Sequence, residues 1–128
     1  MDAQLKAKWV EALRSGEYEQ AREMLHDVAN GGYCCLGVLC KVMGAEFGPG
    51  SEKHEDEDGA TLLMFDHVPV LDGRVLSNND DEKLKDSLCK ELGIPDQSEL
   101  ISRNDGKKRL GIHKHSFAEI ADYIEKNL

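Results

Sequence analysis

Leu5, Trp9, Ala12 and Leu13 return at the spacing of one helix face, with Asp2 placed to cap the start and Gly16 to end the last turn. The pattern predicts a helix from Asp2 to Arg14. From Glu17 to Asn30 propensity favours helix, but the apolar positions Tyr18, Ala21, Met24, Leu25 and Val28 also divide into strand and turn, so both readings stand. Gly31-Gly32 then opens an almost wholly apolar run, Tyr33 to Met43, that ends at Gly44. It is too long for an ordinary strand and predicts a buried central helix.

Between Gly44 and Gly59 the pattern breaks. Gly48-Pro49-Gly50 is turn chemistry, and Glu52 to Asp58 sets five acids around Lys53 and His54, which predicts a solvated loop. Thr61 to Phe65 and Val68 to Leu76 lean toward strand, with Asp72-Gly73 as a turn and Pro69 suited to an edge. Asn79 begins another helical pattern, with Glu82 at its third position and Leu84, Leu88 and Leu92 on one face, stopped by Gly93, Ile94 and Pro95. Ser116 and Glu119 form a capping box ahead of the stripe Phe117, Ile120, Ala121, Ile124 and Leu128. These elements predict an α+β fold: a small, mainly helical single domain, residues 1–128, with a buried central helix and a short β element.

Charge narrows the function classes. Sixteen Lys and Arg against 25 Asp and Glu give a net charge of −9, which opposes general binding to a phosphate backbone. No run approaches the roughly 20 apolar residues of a membrane span, and the first residues lack the core of a secretory signal. A soluble chain with reduced thiols is expected, because Cys34, Cys35, Cys40 and Cys89 include an adjacent pair and lie mostly in one apolar segment.

The same residues weigh against metal and cofactor chemistry. Aligning Gly59 to the invariant glycine of a calcium loop puts His54 at the first ligand position and Phe65 where a bidentate glutamate belongs. The cysteines lack the paired short spacing of a zinc site. Cys34 or Cys35 at a helix start would be activated as a nucleophile, but no base is identifiable beside them. No cofactor is expected.

A ligand site is the sharper reading. Gly31 and Gly32 free the backbone to approach a ligand, the first N–H groups of the central helix await an acceptor, and Tyr33 supplies an aromatic face. Glu99 to His115 is locally basic, with Arg103, Lys107, Lys108, Arg109 and Lys114 against Glu99 and Asp105, and Asn104-Asp105-Gly106 reads as a turn within it. The candidate ligand-binding residues are Arg22, Gly32, Tyr33, Arg103, Asn104, Asp105, Lys107, Lys108 and Arg109. In this set Tyr33 stacks on a base, the cations hold phosphates, and Asn104 or Asp105 takes sugar or base edges.

Three segments spanning nearly the whole chain resemble a family of small proteins of bacteriophages and prophages. They are Trp9-Val-Glu-Ala-Leu-Arg-Ser-Gly-Glu-Tyr-Glu-Gln-Ala-Arg22, Tyr33-Cys-Cys-Leu-Gly-Val-Leu-Cys40, and Asn104-Asp105 followed by Ser116-Phe-Ala-Glu-Ile-Ala-Asp-Tyr-Ile-Glu125. Members of that family usually carry glycines where this chain reads Gln20-Ala21-Arg22-Glu23, which favours an extended arm bringing Gln20 and Arg22 toward Tyr33. The resemblance implies an accessory protein in the cytoplasm of an infected bacterium. Joined to the residue chemistry, it gives the expectation of a non-enzymatic protein acting against bacterial defence by sequestering a cyclic or di-nucleotide immune signal. The alternative is an inhibitor that binds a host defence protein, including as an acidic mimic of nucleic acid. No membrane contact is expected, and a homo-oligomer sharing the site is compatible with both.

Overall fold

The apolar run after Gly31-Gly32 folds as a helix at the centre of the molecule. The structure, a computed structural model, describes residues 1–77, 83–106 and 113–128, without the side chains of His54 and Asp56. In chain order these residues form α1 (Ala3–Ser15), α2 (Cys35–Val42), β1 (Glu46–Asp56), β2 (Gly59–Leu71), β3 (Arg74–Val75), α3 (Asp86–Leu92), α4 (Gln97–Asp105) and α5 (Phe117–Asn127). The predicted small α+β domain is what the chain adopts.

All six residues from Cys35 to Cys40 on α2 are buried, four of the side chains completely excluded from solvent along with Leu36 at their centre. Burial of each Leu or Val there is worth about 1.5–3 kcal/mol relative to exposure. Around α2 pack Trp9, Val10 and Leu13 of α1, Leu88 of α3, Leu100 of α4, and Phe117, Ile120, Ala121 and Ile124 of α5. The ends of the flanking helices follow their sequence signals. Asp2 accepts from the Leu5 amide at 2.8 Å, Ser116 and Glu119 exchange both bonds of the capping box, and Gly16 and Gly93 end α1 and α3. Arg14 joins α1 to α5 through Asp122 and Glu125, each at 2.6 Å, but the pair is exposed and the apolar stripes beneath it carry the packing.

Four expectations are corrected. The acidic stretch is strand, not loop: β1 pairs antiparallel with β2 from Glu46↔Val70 to Asp56↔Gly59. Their outer ends form a hairpin arm in which most positions from Ser51 to Met64 are exposed on both faces, so no alternation of polarity marks it. Pro69 lies in the middle strand of the order β1-β2-β3, not at an edge. It is tolerated because its carbonyl accepts from Leu76 N, so its missing N–H faces the side where the two-residue β3 has already ended. The helix expected from Asn79 begins at Asp86. Residues 78–82 lie outside the described residues, while Leu84 bridges to Ser77 and Lys85 N donates to Leu76 O. Finally, the basic segment contains a helix, α4, whose buried face includes Gln97, Ser102 and Asn104. Gln97 replaces a strand partner for Leu84, accepting from its N–H at 3.0 Å and donating to its carbonyl at 2.9 Å.

Glu17 to Asn30 is not helical. Tyr33 N donates to Glu19 O and Ala21 N donates to Tyr33 O, both at 2.8 Å, which fixes Gln20 beside Tyr33 as an extended arm.

Candidate functional site

Tyr33 is gripped from two sides, by Gln20 on a parallel bridge and by His26 on an antiparallel one. The loop between His26 and Tyr33 is closed by Asp27, whose carboxylate accepts from Ala29 N at 3.0 Å, Asn30 N at 3.2 Å and Asn30 Nδ2 at 2.8 Å. These bonds hold the Asp27 carboxyl below the usual carboxylate range, the Asn30 side chain first among them. The result sets the His26 imidazole flat on the Tyr33 ring, with centroids 4.4 Å apart and planes 17° from parallel. Tyr18 meets Tyr33 edge-on at 5.5 Å.

The sheet supplies the opposite wall. Between Gly48↔Val68 and Gly50↔Phe65 the register shifts, so Asp66 and His67 stand against Pro49 alone. Such a bulge bends the strand and re-aims a side chain. Gly50 permits it: a Cβ there would lie 2.9 Å from Val68 Cγ2 and 3.1 Å from methyls of Val70 and Val75. His67 consequently stacks on Phe47, with centroids 5.7 Å apart, and its Nε2 lies 2.7 Å from His26 Nδ1. A contact of that length needs one proton between the two nitrogens, so at least one ring is neutral. Burial, then the His67 charge, pushes the His26 pKa down. His26, Phe47 and His67, with Met24, Asp27 and Ser77, line a cleft of about 310 Å³, at the lower bound for small-molecule sites of roughly 300–1,000 Å³. Of three larger hollows, one beside Lys90 and Pro95 and one along Lys6 and Arg14 hold no aromatic ring, and a third, lined by Arg103, His115, Tyr123 and Lys126, holds two against the three of the cleft.

The lowered His26 pKa has a measurable sign. Its folded value lies below the unfolded value of about 6.5, so the unfolded chain binds more protons as the pH falls through that point. Stability is therefore present above about pH 6.5 and declines below it. The urea midpoint is expected to fall between about pH 7.5 and pH 5.5, and His26→Phe, which keeps a stacking ring, is expected to flatten the profile in that window. An unchanged midpoint in the parent protein would contradict the pair's geometry.

The residues singled out in the sequence are arranged differently from that reading. Gly32 and Asn104 do meet the start of α2, but as a packed joint. Asn104 has no solvent exposure, and its amide is fully engaged. Its Oδ1 accepts from Gln20 Nε2 at 2.9 Å and Cys35 N at 3.3 Å, and its Nδ2 donates to Ala21 O and Asp105 Oδ1, both at 2.9 Å. The helix start that was to receive an anion is thus capped from within. Gly32 is buried, with Ala21 and Glu19 about 3.2 Å from where a Cβ would stand. The remaining space beside Cys34, Ile101 and Asn104 does not admit a water. Asp105 accepts from Glu23 N at 2.9 Å. Arg103 turns to α5, with its guanidinium carbon 4.1 Å above the Tyr123 ring and a bond to Glu99 at 2.9 Å. Arg22 is half-buried, and its Nε has no partner among the described residues. Lys107, Lys108 and Arg109 lie outside the described residues.

The thiols are placed for packing. Cys35 and Cys40 are fully buried, which pushes both pKa values up, and Cys89 is pushed up to about 11, also mainly by burial. A thiolate at Cys35 is further opposed by the neighbouring Cys34 and Asp105, so the helix start does not make it a nucleophile.

Of the ring cluster only Tyr33, which backs His26 without lining the cleft, was read as functional in the sequence. His26 and His67 are 41 residues apart, and nothing local in either segment links them.

Residues 1–128 match the family described as a domain of unknown function, DUF8296. No curated protein and no solved structure matches the chain.

Proposed function

We propose that this chain, which belongs to the DUF8296 family, is a non-enzymatic binding protein that holds a nucleotide immune signal in the His26, Phe47 and His67 cleft. In this reading it is a phage accessory protein working against bacterial defence in the cytoplasm of the infected host, as the resemblance of its three segments implies. One observation carries the ligand class: two stacked ring pairs, His26 on Tyr33 and His67 on Phe47, meet at a cleft through imidazole nitrogens. Rings of this kind accept a nucleobase face, and with one proton shared between His26 Nδ1 and His67 Nε2 an outer imidazole N–H remains to donate to a phosphate oxygen. The acid in the lining, Asp27, has its carboxylate occupied by its own loop. Tyr33 stacks on His26 and not on a base, so the stacking role passes to the rings that line the cleft, and the phosphate donors of the earlier set are replaced by an imidazole N–H.

Calorimetric titration with a panel of cyclic and di-nucleotides tests this. Base stacking on an aromatic ring is worth about 1–3 kcal/mol, so His67→Ala is expected to weaken binding by about 5- to 150-fold. Absence of binding across the panel, with no nucleotide released from denatured protein purified from a signalling host, would remove the proposal.

The hairpin arm favours a second reading, a protein-binding inhibitor of a host defence protein, because it presents Leu62, Leu63 and Met64 to solvent. It does not favour a nucleic-acid mimic. Along a strand, residues on one face recur every ~6.6 Å, against one charge per ~1.7 Å of duplex. Glu46, Glu52 and Glu55 are moreover paired with Lys41, Lys85 and Lys53.

A further inference from the structure

The cleft that holds the histidine pair is small, and its lining is poor in positive charge. A volume of about 310 Å³ is that of about ten waters in the liquid, or of roughly 20 bonded non-hydrogen atoms at the closer packing of an organic solid. One base, one ribose and one phosphate come to about that number, and a dinucleotide comes to twice it. Among the described residues no Lys or Arg lines the space. Lys41, whose charge acts on His26, stays outside the lining, whereas the acid Asp27 belongs to it. The chain as a whole carries a net charge of −9.

Such a lining discriminates between kinds of phosphate. A terminal phosphate carries a charge of about −1.5 to −2 near neutral pH, and its oxygens are ordinarily met by Arg or Lys. A phosphodiester carries a single negative charge. The His26–His67 pair, with one proton between its facing nitrogens, offers one outer N–H when neutral and gains one positive charge with one further proton. It can balance one negative charge and no more.

We propose that the cleft selects a cyclic mononucleotide, with its base against the Phe47 and His67 rings and its internal phosphodiester against an imidazole N–H. This rests on the nucleotide reading of the cleft and narrows it in two independent ways. Size turns away a second nucleotide. Charge turns away a 5′-monophosphate, which is no larger than the cyclic form.

Calorimetric titration at neutral pH with 3′,5′-cyclic mononucleotides of the four bases, the matching 5′-monophosphates and cyclic dinucleotides separates these effects. One cyclic mononucleotide is expected to bind per chain, at least about tenfold more tightly than either other class. Val28 lines the cleft and is 69% exposed, so Val28→Arg adds a cation at the rim without disturbing the core. That variant is expected to bind the 5′-monophosphate about tenfold more tightly than the parent does, with a smaller gain for the cyclic form. A 5′-monophosphate or cyclic dinucleotide that binds the parent as tightly as any cyclic mononucleotide overturns the proposal and leaves the nucleotide reading standing. So does a Val28→Arg protein with unchanged selectivity. Failure of all three classes to bind removes both.

Discussion

Replacing Gly37 with alanine is expected to leave no stable native state. A Cβ on Gly37 would stand 1.9 Å from the carbonyl oxygen of Leu25 and 2.9 Å from its carbonyl carbon. Neither side can yield, because that oxygen also accepts from Cys34 N at 3.2 Å within the loop that holds His26 on Tyr33. α2, for its part, is wedged on all sides by the core. Interiors packed at crystal density do not open by an ångström locally. The expected loss exceeds about 5 kcal/mol, a large share of the roughly 5–15 kcal/mol that stabilises a domain. The sign is diagnostic, because Gly→Ala inside a helix ordinarily stabilises by about 1 kcal/mol. Far-UV circular dichroism and urea denaturation decide it, and a variant within about 1 kcal/mol of the parent would refute the close approach.

Asn104→Ala is expected to cost about 3–5 kcal/mol. Four bonds end on this amide, each worth about 1 kcal/mol net, and their buried partners are left without replacement. Asp105→Ala, on a half-buried side chain, is expected to cost about 1 kcal/mol. Denaturation of both variants also separates two roles for Asn104. A ligand-binding asparagine would give a variant as stable as the parent and deficient only in binding. The joint described above gives the reverse.

The sequence declared the elements whose signals are local. α1 and α5 carry their caps and stripes within a single turn or two, and the Asp72-Gly73 turn between β2 and β3 adopts the positive φ angles such a pair favours. α4 escaped notice because polar Gln97, Ser102 and Asn104 share its buried face with Leu100 and Ile101, and Gln97 and Asn104 find their partners outside the helix. β1 escaped because its outer half buries neither face. Helical propensity between Glu17 and Asn30 was overridden by backbone bonds to Tyr33, as the glycine comparison at Gln20 to Glu23 had suggested. Of the candidate site, Tyr33 was legible and its neighbours were not. His26 comes from a loop and His67 from a bulge, and only the meeting of sheet and loop makes them a pair.

The cap on α2 has a consequence for the order in which the molecule assembles. α2 is eight residues long and has no side-chain cap from Cys34, so it is far below the length at which a helix persists alone. The group that completes its first turn belongs to α4, 69 residues further on. The centre of the core therefore cannot be an early island from which the rest grows. It is expected to form together with α4, after a long loop has closed, with that encounter limiting the rate of folding. Mutations at Asn104 should accordingly slow folding more than they hasten unfolding, whereas mutations in the hairpin arm should leave the folding rate alone.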